Sequence, residues 1–270
     1  MQTGYRQVDM GARRFGRWNL LGLRTLIARE IMRFLKVWTQ TLLAPLITAG
    51  LFLAVFALAI GPGRGQVMGV AYVTFLAPGI LVMNVIQNAF ANASSSIMGS
   101  KVQGNIVDTL MPPLSPLELT VGYIAGAVAR GLMVALPVWL LMALTVGTSL
   151  PHPVWALAFA VSGSAFMGGL GIMAGIFSQR FDQMAAITNF VITPLSFLSG
   201  TFYSIQMLPA PLEAMSRVNP MFYVIDGVRF GMLGRSDASP WLGLGVVLAA
   251  TSVAIWGCWM MFRTGYRLKS

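Results

Sequence analysis

The sequence predicts an all-α integral membrane protein with six transmembrane helices, an N-terminal amphipathic interfacial helix and an outer re-entrant helical hairpin. Of its 270 residues, 56% are hydrophobic and only 10% are charged, whereas about 25% are charged in an ordinary soluble domain. The charged residues leave several uninterrupted runs, each longer than the about 20 apolar residues that a spanning helix needs. Because the apolar stretches are continuous and do not alternate with polar residues, they exclude a transmembrane β-barrel.

Basic residues decide the predicted orientation. A net charge of +10 would indicate nucleic-acid binding in a soluble protein, but 8 of the 18 Lys and Arg residues precede residue 37. Six spans put both termini on one side of the membrane, and the positive-inside rule makes the side richer in Lys and Arg cytoplasmic. We therefore expect a multi-pass membrane protein with both termini cytoplasmic and no nucleic-acid partner.

Hydropathy divides the chain into three regions. Residues 1–36 form a cytoplasmic N-terminus with the amphipathic helix, residues 37–262 form a six-helix transmembrane domain, and residues 263–270 form a cytoplasmic tail. Within the transmembrane domain, a cytoplasmic loop (94–118) follows the second span and an outer hairpin (204–240) follows the fifth. The predicted spans are Val37–Ile60, Gly69–Ala93, Leu119–Val146, Pro153–Phe177, Met184–Tyr203 and Trp241–Phe262.

The segment Arg24–Trp38 has the spacing of an amphipathic helix. Arg29, Arg33 and Lys36 lie on one side, with apolar residues on the other. Such a helix lies in the membrane interface, where its basic side contacts anionic lipid headgroups or an acidic partner. Two interpretations remain open, namely a simple orientation anchor and a docking surface that also carries mechanical force.

Two cytoplasmic segments are candidate contacts for a soluble partner. In the loop 94–118, Ile106 and Leu110 have helical spacing, and Pro112-Pro113 ends the helix because proline supplies no N–H and disfavours helical geometry before it. A short helix closed in this way fits a groove on a partner, although a solvated connector would have the same composition. The turn 178–182 is either a second, smaller contact or a plain turn.

The outer connection 204–240 contains a mostly apolar stretch of 13 residues, Met221–Leu233. This stretch is too short to span a bilayer and has the length of a re-entrant or interfacial helix. Asn219-Pro220 separates it from the helical segment before it. Asp226 and Arg229 are close enough on a helix to pair, which lowers the cost of entering the headgroup region. The pattern predicts a hairpin that dips partway into the membrane from outside.

Polar side chains within two spans form stripes that are candidates for a translocation pathway. Because lipid cannot satisfy amides, both stripes are expected to face protein or a water-filled route. They either line such a route or form interhelical hydrogen bonds. The stripe residues are Asn84, Gln87, Asn88 and Asn92 in the second span and Thr188, Asn189, Thr193 and Ser196 in the fifth.

Arg130 is a charged residue within a predicted span. It lies 12 residues beyond Glu118, which places it about 18 Å into the bilayer. An unpaired guanidinium there costs at least about 2.5–3.5 kcal/mol on insertion scales, and no acid shares its span. Arg130 is therefore expected to meet backbone carbonyls, a cavity or another segment's carboxylate, and it either locks the structure or contacts an anionic substrate head.

No catalytic, metal or cofactor site is expected on this chain. No lysine follows a glycine, which excludes a phosphate-binding Walker A loop. A single cysteine, Cys258, and a single histidine, His152, provide neither an intrachain disulfide nor a soft-ligand metal cluster. The spans also lack the acids that an ion-coupled carrier uses. The chain is thus expected to be no enzyme, and energy for pumping would have to come from outside it.

Short motifs surround the outer connection, in addition to the amphipathic helix and the proline-terminated loop. They are Leu198-Ser199-Gly200-Thr201-Phe202-Tyr203, Leu208-Pro209, Asn219-Pro220-Met221-Phe222-Tyr223 and Gly227-Val228-Arg229. With these features the chain resembles, over nearly its whole length, the permease subunits of type 2 ABC exporters. That family includes permeases for nodulation lipo-oligosaccharides, polysaccharides, teichoic acids and hydrophobic drugs.

The resemblance implies partners and a transport function. It implies a homodimer, or a pair with a paralogue, bound to two cytoplasmic ABC ATPase subunits that hold ATP and Mg²⁺. The expected activity is ATP-driven outward movement of an amphipathic or lipid-linked substrate across the bacterial inner membrane; an ATP-independent channel or facilitator is the alternative. The loop after the second span would be the coupling helix. The expected ATPase contacts are Gln103, Gly104, Asn105, Asp108 and Leu110, with Arg180 in the smaller turn.

Overall fold

The computed structural model describes residues 18–59, 63 and 65–268. Its first elements are α1 (Leu20–Leu35), α2 (Trp38–Ala59), the antiparallel strands β1 (Gln66–Val67) and β2 (Val70–Ala71), α3 (Tyr72–Val102) and α4 (Ile106–Leu110). The elements that follow are α5 (Pro116–Val146), α6 (Pro153–Phe177), α7 (Phe181–Ile187), a π-helical turn (Thr188–Ile192), α8 (Thr193–Leu198), a 3₁₀ turn (Ile205–Met207), α9 (Ala210–Val218), α10 (Pro220–Leu233) and α11 (Pro240–Thr264).

Five of these helices, α2, α3, α5, α6 and α11, are long and apolar enough to cross a membrane. They correspond to the predicted first, second, third, fourth and sixth spans, and the all-α membrane class is confirmed. α3 continues to Val102 and so includes the first part of the predicted loop 94–118. The predicted N-terminus and tail are covered only in part, because residues 1–17 and 269–270 lie outside the described residues.

The predicted fifth span, Met184–Tyr203, is not one continuous α-helix. α7, the π-helical turn and α8 follow one another from Phe181 to Leu198, a helical path of about 27 Å if it rises 1.5 Å per residue. Pro194 has no N–H to donate to the carbonyl of Phe190, four residues earlier, and such a local mismatch is typical where a helix widens into a π-turn. Whether this segment spans the membrane stays a prediction.

α3 and α6 form the centre of the bundle. Their most apolar windows are 78% and 67% buried, against 17–28% for the other three spanning helices. Glycines allow the two backbones to approach closely. A Cβ atom on Gly171 would lie 2.5 Å from the carbonyl oxygen of Phe90, and one on Gly175 would lie 2.9 Å from that of Ser94. The remaining helices pack around this pair.

α1 spans Leu20–Leu35, earlier than the predicted Arg24–Trp38. Asn19 caps it, since the Asn19 side-chain oxygen accepts a 2.9 Å hydrogen bond from the N–H of Gly22. The helix packs on α5, where a Cβ atom on Gly122 would lie 2.4 Å from the Leu26 side chain. The buried side of α1 includes an acid as well as apolar residues: Leu26, Glu30 and Phe34.

The connection after α8 contains two helices, α9 and α10, that meet at Asn219. Of the 14 residues of α10, 11 are buried, because it packs among α3, α6 and α11. Its depth relative to a membrane stays a prediction. We call the end of the bundle that carries α1, α4 and the turn at 178–180 the basic end, and the end that carries β1, β2, α9 and α10 the hairpin end.

Candidate functional site

Glu30 lies at the centre of the basic end. Its carboxylate is fully buried and accepts hydrogen bonds from three side chains. Ser96 Oγ donates at 2.8 Å, Arg29 Nη2 at 3.1 Å and Arg33 Nη2 at 3.3 Å. A buried carboxylate needs such partners because an unpaired charge away from water is costly. The cluster fastens α1 to α3.

Arg33 extends inward from α1 to α3. Its Nη2 donates to the Asn92 backbone oxygen at 2.7 Å and to Asn92 Oδ1 at 2.9 Å, and its Nη1 donates to Ser95 Oγ at 3.3 Å. Part of the basic side of α1 is therefore hydrogen-bonded within the protein itself. Lys36, at the end of α1, is exposed. Contact of these cations with lipid headgroups stays a prediction.

Arg29 ties α1 to α4 and α5. Its Nη1 donates to Thr109 Oγ1 in α4 at 2.8 Å, and its Nη2 donates to the Tyr123 hydroxyl in α5 at 3.2 Å. Burial lowers the pKa of Arg29, but Tyr123 and Glu30 outweigh this effect, so the pKa lies above its usual value. The guanidinium stays charged and holds α4 against α1.

Glu118 secures the other side of the α4 loop. Glu118 Oε2 accepts a 2.7 Å hydrogen bond from the N–H of Ser115, and Ser115 Oγ accepts one of 3.3 Å from the N–H of Glu118, which together form a capping box. Glu118 also accepts from the N–H of Asn19, and Asn19 Nδ2 donates to the Pro113 oxygen at 3.2 Å. The loop is thus bonded to α1 at both Thr109 and Pro113.

The predicted partner-contact residues lie at the surface of the basic end. Gly104 has φ of +72°, a conformation that favours glycine, and it turns the chain from α3 into α4. Ile106 and Thr109 are buried, whereas Val107 and Met111 are 54% and 76% exposed. The exposed side of α4, which we call the α4 edge, is therefore short and carries both apolar and polar side chains. Its predicted contacts are the exposed Gln103, Gly104, Asn105 and Asp108 and the partly buried Leu110.

Lys101 joins the end of α3 to the end of α6. Its Nζ donates to the Ile176 oxygen at 2.7 Å and to the Ser178 oxygen at 2.5 Å. A cation is stabilised there by the partial negative charge at a helix C-terminus. Arg180, in the turn that follows, is exposed. The two segments predicted to contact a partner are therefore linked through Lys101.

The amide stripe of the second span lies in α3, and two of its side chains donate hydrogen bonds to carbonyls of the same helix. Asn84 Nδ2 donates to the Ile80 oxygen at 2.8 Å, and Asn88 Nδ2 donates to the Asn84 oxygen at 3.0 Å. Asn84 and Asn92 are buried, while Gln87 and Asn88 are partly buried. Local bonds thus satisfy part of the Asn84 and Asn88 amides without a second helix, whereas the Asn92 amide accepts from Arg33 of α1.

The stripe of the fifth segment also forms hydrogen bonds within its own segment. Thr188 Oγ1 donates to the Met184 oxygen at 2.9 Å, and Ser196 Oγ donates to the Ile192 oxygen at 2.8 Å. Thr193 is partly buried and Asn189 is exposed. Within residues 18–59 and 65–268, no hydrogen bond joins this stripe to that of α3. A pathway role for either stripe stays a prediction.

Arg130 is partly buried in α5. Across the described part of the chain, no hydrogen bond or ion pair reaches its side chain, and its Nε is buried without a partner. Another cation, Arg33, repels its guanidinium electrostatically. The carbonyl or carboxylate expected to hold Arg130 is thus not found among these residues.

Arg229 is the centre of a second buried cluster, at the hairpin end. Its Nη2 donates to the Gly200 oxygen at 2.6 Å, and its Nη1 lies 3.5 Å from Asp226 Oδ1 and 3.7 Å from Asp237 Oδ2. Its guanidinium also lies 4.3 Å from the centre of the Phe75 ring. The Asp226–Arg229 pair therefore forms as expected from its spacing, with additional partners that join α10 to α3 and to the end of the fifth segment.

Three residues of these clusters were missed by sequence reasoning. Glu30 lies between Arg29 and Arg33 in the sequence, and an acid within a basic amphipathic helix is a signal that could have indicated it. Lys101 and Asp237 have no such signal, because Lys101 bonds to Ile176 and Asp237 to Arg229 across segments of the chain.

These features define an all-α, multi-pass membrane protein whose charged clusters fasten its helices together at both ends. Residues 22–233 match the family model described as ABC-2 type transporter. The chain belongs to this family of membrane transport permeases, which confirms the resemblance seen in the sequence.

Relatives of the chain agree with this assignment. It is 35% identical over 250 residues to the inner membrane transport permease YadH of Escherichia coli (strain K12), covering 93% of this chain and 98% of the relative. It is 26% identical over 222 residues to nodulation protein J of Rhizobium leguminosarum bv. viciae, covering 81% and 85%. Identity to nodulation protein J of Rhizobium meliloti (strain 1021) is 23% over 224 residues, covering 82% and 84%.

Proposed function

We propose that this chain is the permease subunit of an ATP-driven exporter that moves an amphipathic or lipid-linked substrate outward across the inner membrane. The substrate class comprises lipids, glycolipids, oligosaccharides and hydrophobic drugs. Membership of the ABC-2 type transporter family supports a transport role. The description of the Escherichia coli relative as an inner membrane transport permease supports the location. The chain itself binds no cofactor; ATP and Mg²⁺ bind to two partner ATPase subunits.

The observation that carries the proposal is the α4 edge. Asp108 and Asn105 are exposed at the end of the most buried helix, α3, while Arg29 holds α4 to α1 through Thr109. A short exposed helix that is bonded to the rest of the protein on its inner side fits a groove on a soluble partner. On this proposal α4 contacts the ATPase, and the basic end and both termini face the cytoplasm.

The hydrogen bonds at the basic end provide a way for movement of the ATPase to reach the permease helices. ATP-driven closure of the partner subunits would move α4, and with it α1 through Arg29 and α6 through Lys101. The permease would then shift as rigid bodies between two states. Reversing a 1:99 population takes about 5.5 kcal/mol of differential binding, which nucleotide-driven closure supplies to a chain that has no energy source of its own.

A second copy of this chain completes the proposal. The fifth segment exposes large apolar side chains, with Phe190 81% and Val191 47% exposed, and α2 exposes Ile47 (66%) and Leu51 (64%). We expect a homodimer in which part of these surfaces is covered by the second copy and the rest by lipid. In that arrangement the accessible members of the two stripes, Gln87 and Asn88 in α3 and Asn189 in the fifth segment, line the route. The molecular mass of the purified complex measures the number of copies.

Copurification tests the ATPase contact. The tagged chain is purified from membranes of its own cells, and the retained ABC ATPase is quantified together with its Mg²⁺-dependent ATP hydrolysis. The Asp108→Arg variant reverses an exposed charge on the α4 edge, and we expect loss of both signals. Glu213→Arg makes the same change on α9, at the hairpin end, and is the matched control.

The ATP-driven exporter and the ATP-independent facilitator predict different results. Loss with Asp108→Arg and retention with Glu213→Arg support the exporter. An undiminished ATPase signal in both variants would contradict the α4 contact. Equal cargo movement by vesicles with and without ATP would favour the ATP-independent facilitator.

A further inference from the structure

Three buried hydrogen-bond donors that have no acceptor among the described residues lie where α1, α3 and α5 meet. They are Arg33 Nε, Asn92 Nδ2 and Arg130 Nε. The first two are neighbours, because Arg33 Nη2 donates to Asn92 Oδ1 at 2.9 Å. Asn92 itself is 0% exposed. Buried polar groups almost always have a partner, so a cluster of such donors indicates a missing acceptor.

Arg130 is directed to the same place by the geometry of α5. Gly126, one turn earlier on the same face, lies against both other helices: a Cβ atom there would be 2.6 Å from Glu30 Cβ and 3.4 Å from Asn92 Nδ2. A long side chain on a helix turns back over the turn that precedes it, so Arg130 is directed toward the turn at Gly126, against which Glu30 and Asn92 pack. Arg33 is also the charged group that acts on Arg130.

The charges of this junction do not balance. Glu30 is the single acid in contact with it within the described residues, and both Glu30 oxygens already accept hydrogen bonds from Arg29, Arg33 and Ser96. Arg33 and Arg130 therefore repel each other as like charges. An anion with several acceptor oxygens would neutralise this repulsion and accept from all three unpaired donors, which is what a phosphate group offers.

An open cavity leads to the junction from the basic end. It has a volume of about 650 Å³, and its charged lining residues are the cations Arg29, Arg33 and Lys36 and the acids Glu30 and Asp108. Arg130 lies within a spanning helix, where a free ion would have to leave water. A lipid carries its headgroup at that level and keeps its acyl chains in the bilayer.

We propose that Arg33, Asn92 and Arg130 bind the phosphate group of a membrane lipid or a lipid-linked cargo. The cargo interpretation rests on the proposed export function, whereas the binding of a phosphate-bearing lipid does not. Where the lipid is cargo, its class is a phospholipid or a glycolipid whose sugar is linked through phosphate.

Native mass spectrometry of the full chain in detergent tests the site. Phosphatidic acid and diacylglycerol with the same acyl chains differ only in the phosphate, and inorganic phosphate provides the lipid-free arm. We expect phosphatidic acid to bind about tenfold more tightly than diacylglycerol, and Arg130→Gln to remove about that factor. Arg24→Gln removes an exposed charge of the same basic helix and should leave the preference unchanged.

Asn92→Asp is a second, independent variant. It replaces the unpaired Nδ2 donor with a carboxylate oxygen, so the protein supplies the missing anion itself. We expect this variant to lose the preference for phosphatidic acid while its thermal stability is retained or raised, which separates loss of binding from loss of folding.

Three outcomes would overturn the proposal. These are equal binding of phosphatidic acid and diacylglycerol, full preference in Arg130→Gln, and binding of inorganic phosphate as tight as that of phosphatidic acid. None of these depends on the ATPase, so they leave the Asp108→Arg copurification result unaffected. Conversely, failure of that copurification leaves the lipid preference intact.

Discussion

The Ser96 hydroxyl in α3 donates a 2.8 Å hydrogen bond to the carboxylate of Glu30 in α1. Both residues are buried, at 6% and 0% exposed. Through this contact a helix that the sequence assigns to the membrane interface is joined to the most buried spanning helix. Any force applied to α1 therefore reaches α3 directly, without passing through the loop that contains α4.

Glu30→Gln is expected to lower stability. The change keeps the shape but removes the charge that compensates Arg29 and Arg33, and hydrogen bonds to a charged group contribute about 1.5–3 kcal/mol each in buried settings. Because both arginines are partly exposed, we expect a total loss of about 1–3 kcal/mol. The midpoint of thermal unfolding in detergent measures it.

Glu213→Gln is the matched control for that change. It breaks the exposed Glu213–Arg217 pair, and exposed pairs contribute at most about 1 kcal/mol. Equal midpoints for Glu30→Gln and Glu213→Gln would show that the Glu30 cluster does not stabilise the fold.

Gly79→Ala is expected to disrupt the hairpin end. A Cβ atom on Gly79 would lie 2.2 Å from the carbonyl oxygen of Thr201, and backbone has little room to move in a packed core. Overpacking of this kind costs about 1–3 kcal/mol or more. Gly99→Ala makes the same change in the same helix with nothing within 4 Å, and it should stabilise by about 0.4–1 kcal/mol. Similar unfolding midpoints for the two variants would contradict the close approach of Gly79 to Thr201.

Arg229→Met is expected to be severe, because it leaves two buried carboxylates without their cation. Removing one partner of a buried pair costs about 3–5 kcal/mol. Arg217→Met, in an exposed pair, is the control and should cost less than about 1 kcal/mol. Thermal unfolding and yield of folded protein measure both.

A second change should rescue Arg229→Met selectively. Asp226 keeps two backbone donors, the N–H groups of Asp237 and Ala238 at 2.8 and 2.9 Å. Asp237 accepts one hydroxyl hydrogen bond, from Ser204 Oγ to Oδ1 at 2.5 Å; its Oδ2 has no hydrogen-bond partner among the described residues and depends on the arginine charge. We therefore expect Asp237→Asn to restore more stability to Arg229→Met than Asp226→Asn does. The reverse order in a double-mutant comparison would refute this assignment.

Lys101→Met is expected to loosen the end of α6. The variant frees the carbonyls of Ile176 and Ser178 from their charged donor, at a cost of about 1.5–3 kcal/mol. Amide hydrogen exchange of residues 174–180 should become faster while that of the centre of α3 is unchanged. Lys36→Met removes an exposed lysine of the basic end and should leave exchange there unaltered. Unchanged exchange in Lys101→Met would contradict the link between α3 and α6.

Much of the architecture could be predicted because it depends on local patterns. The predicted fourth span, Pro153–Phe177, has the bounds observed for α6, since a continuous apolar run begins at a proline suited to the first helical position. The Asp226–Arg229 pair followed from helical spacing alone. The predicted fifth span is the exception, because a π-helical turn interrupts it at Thr188–Ile192, and hydropathy does not report helix type.

The composition and order of apolar residues by themselves determined that this is a helical membrane protein and where its long helices lie, and the motifs around the outer connection indicated its family. Only the tertiary structure decided which charged groups meet. Glu30 and Ser96 are 66 residues apart, and Lys101 and Ile176 are 75 apart. The physical reason is that hydropathy and helical period are properties of neighbouring residues, whereas each such contact depends on how whole helices are rotated and packed against one another.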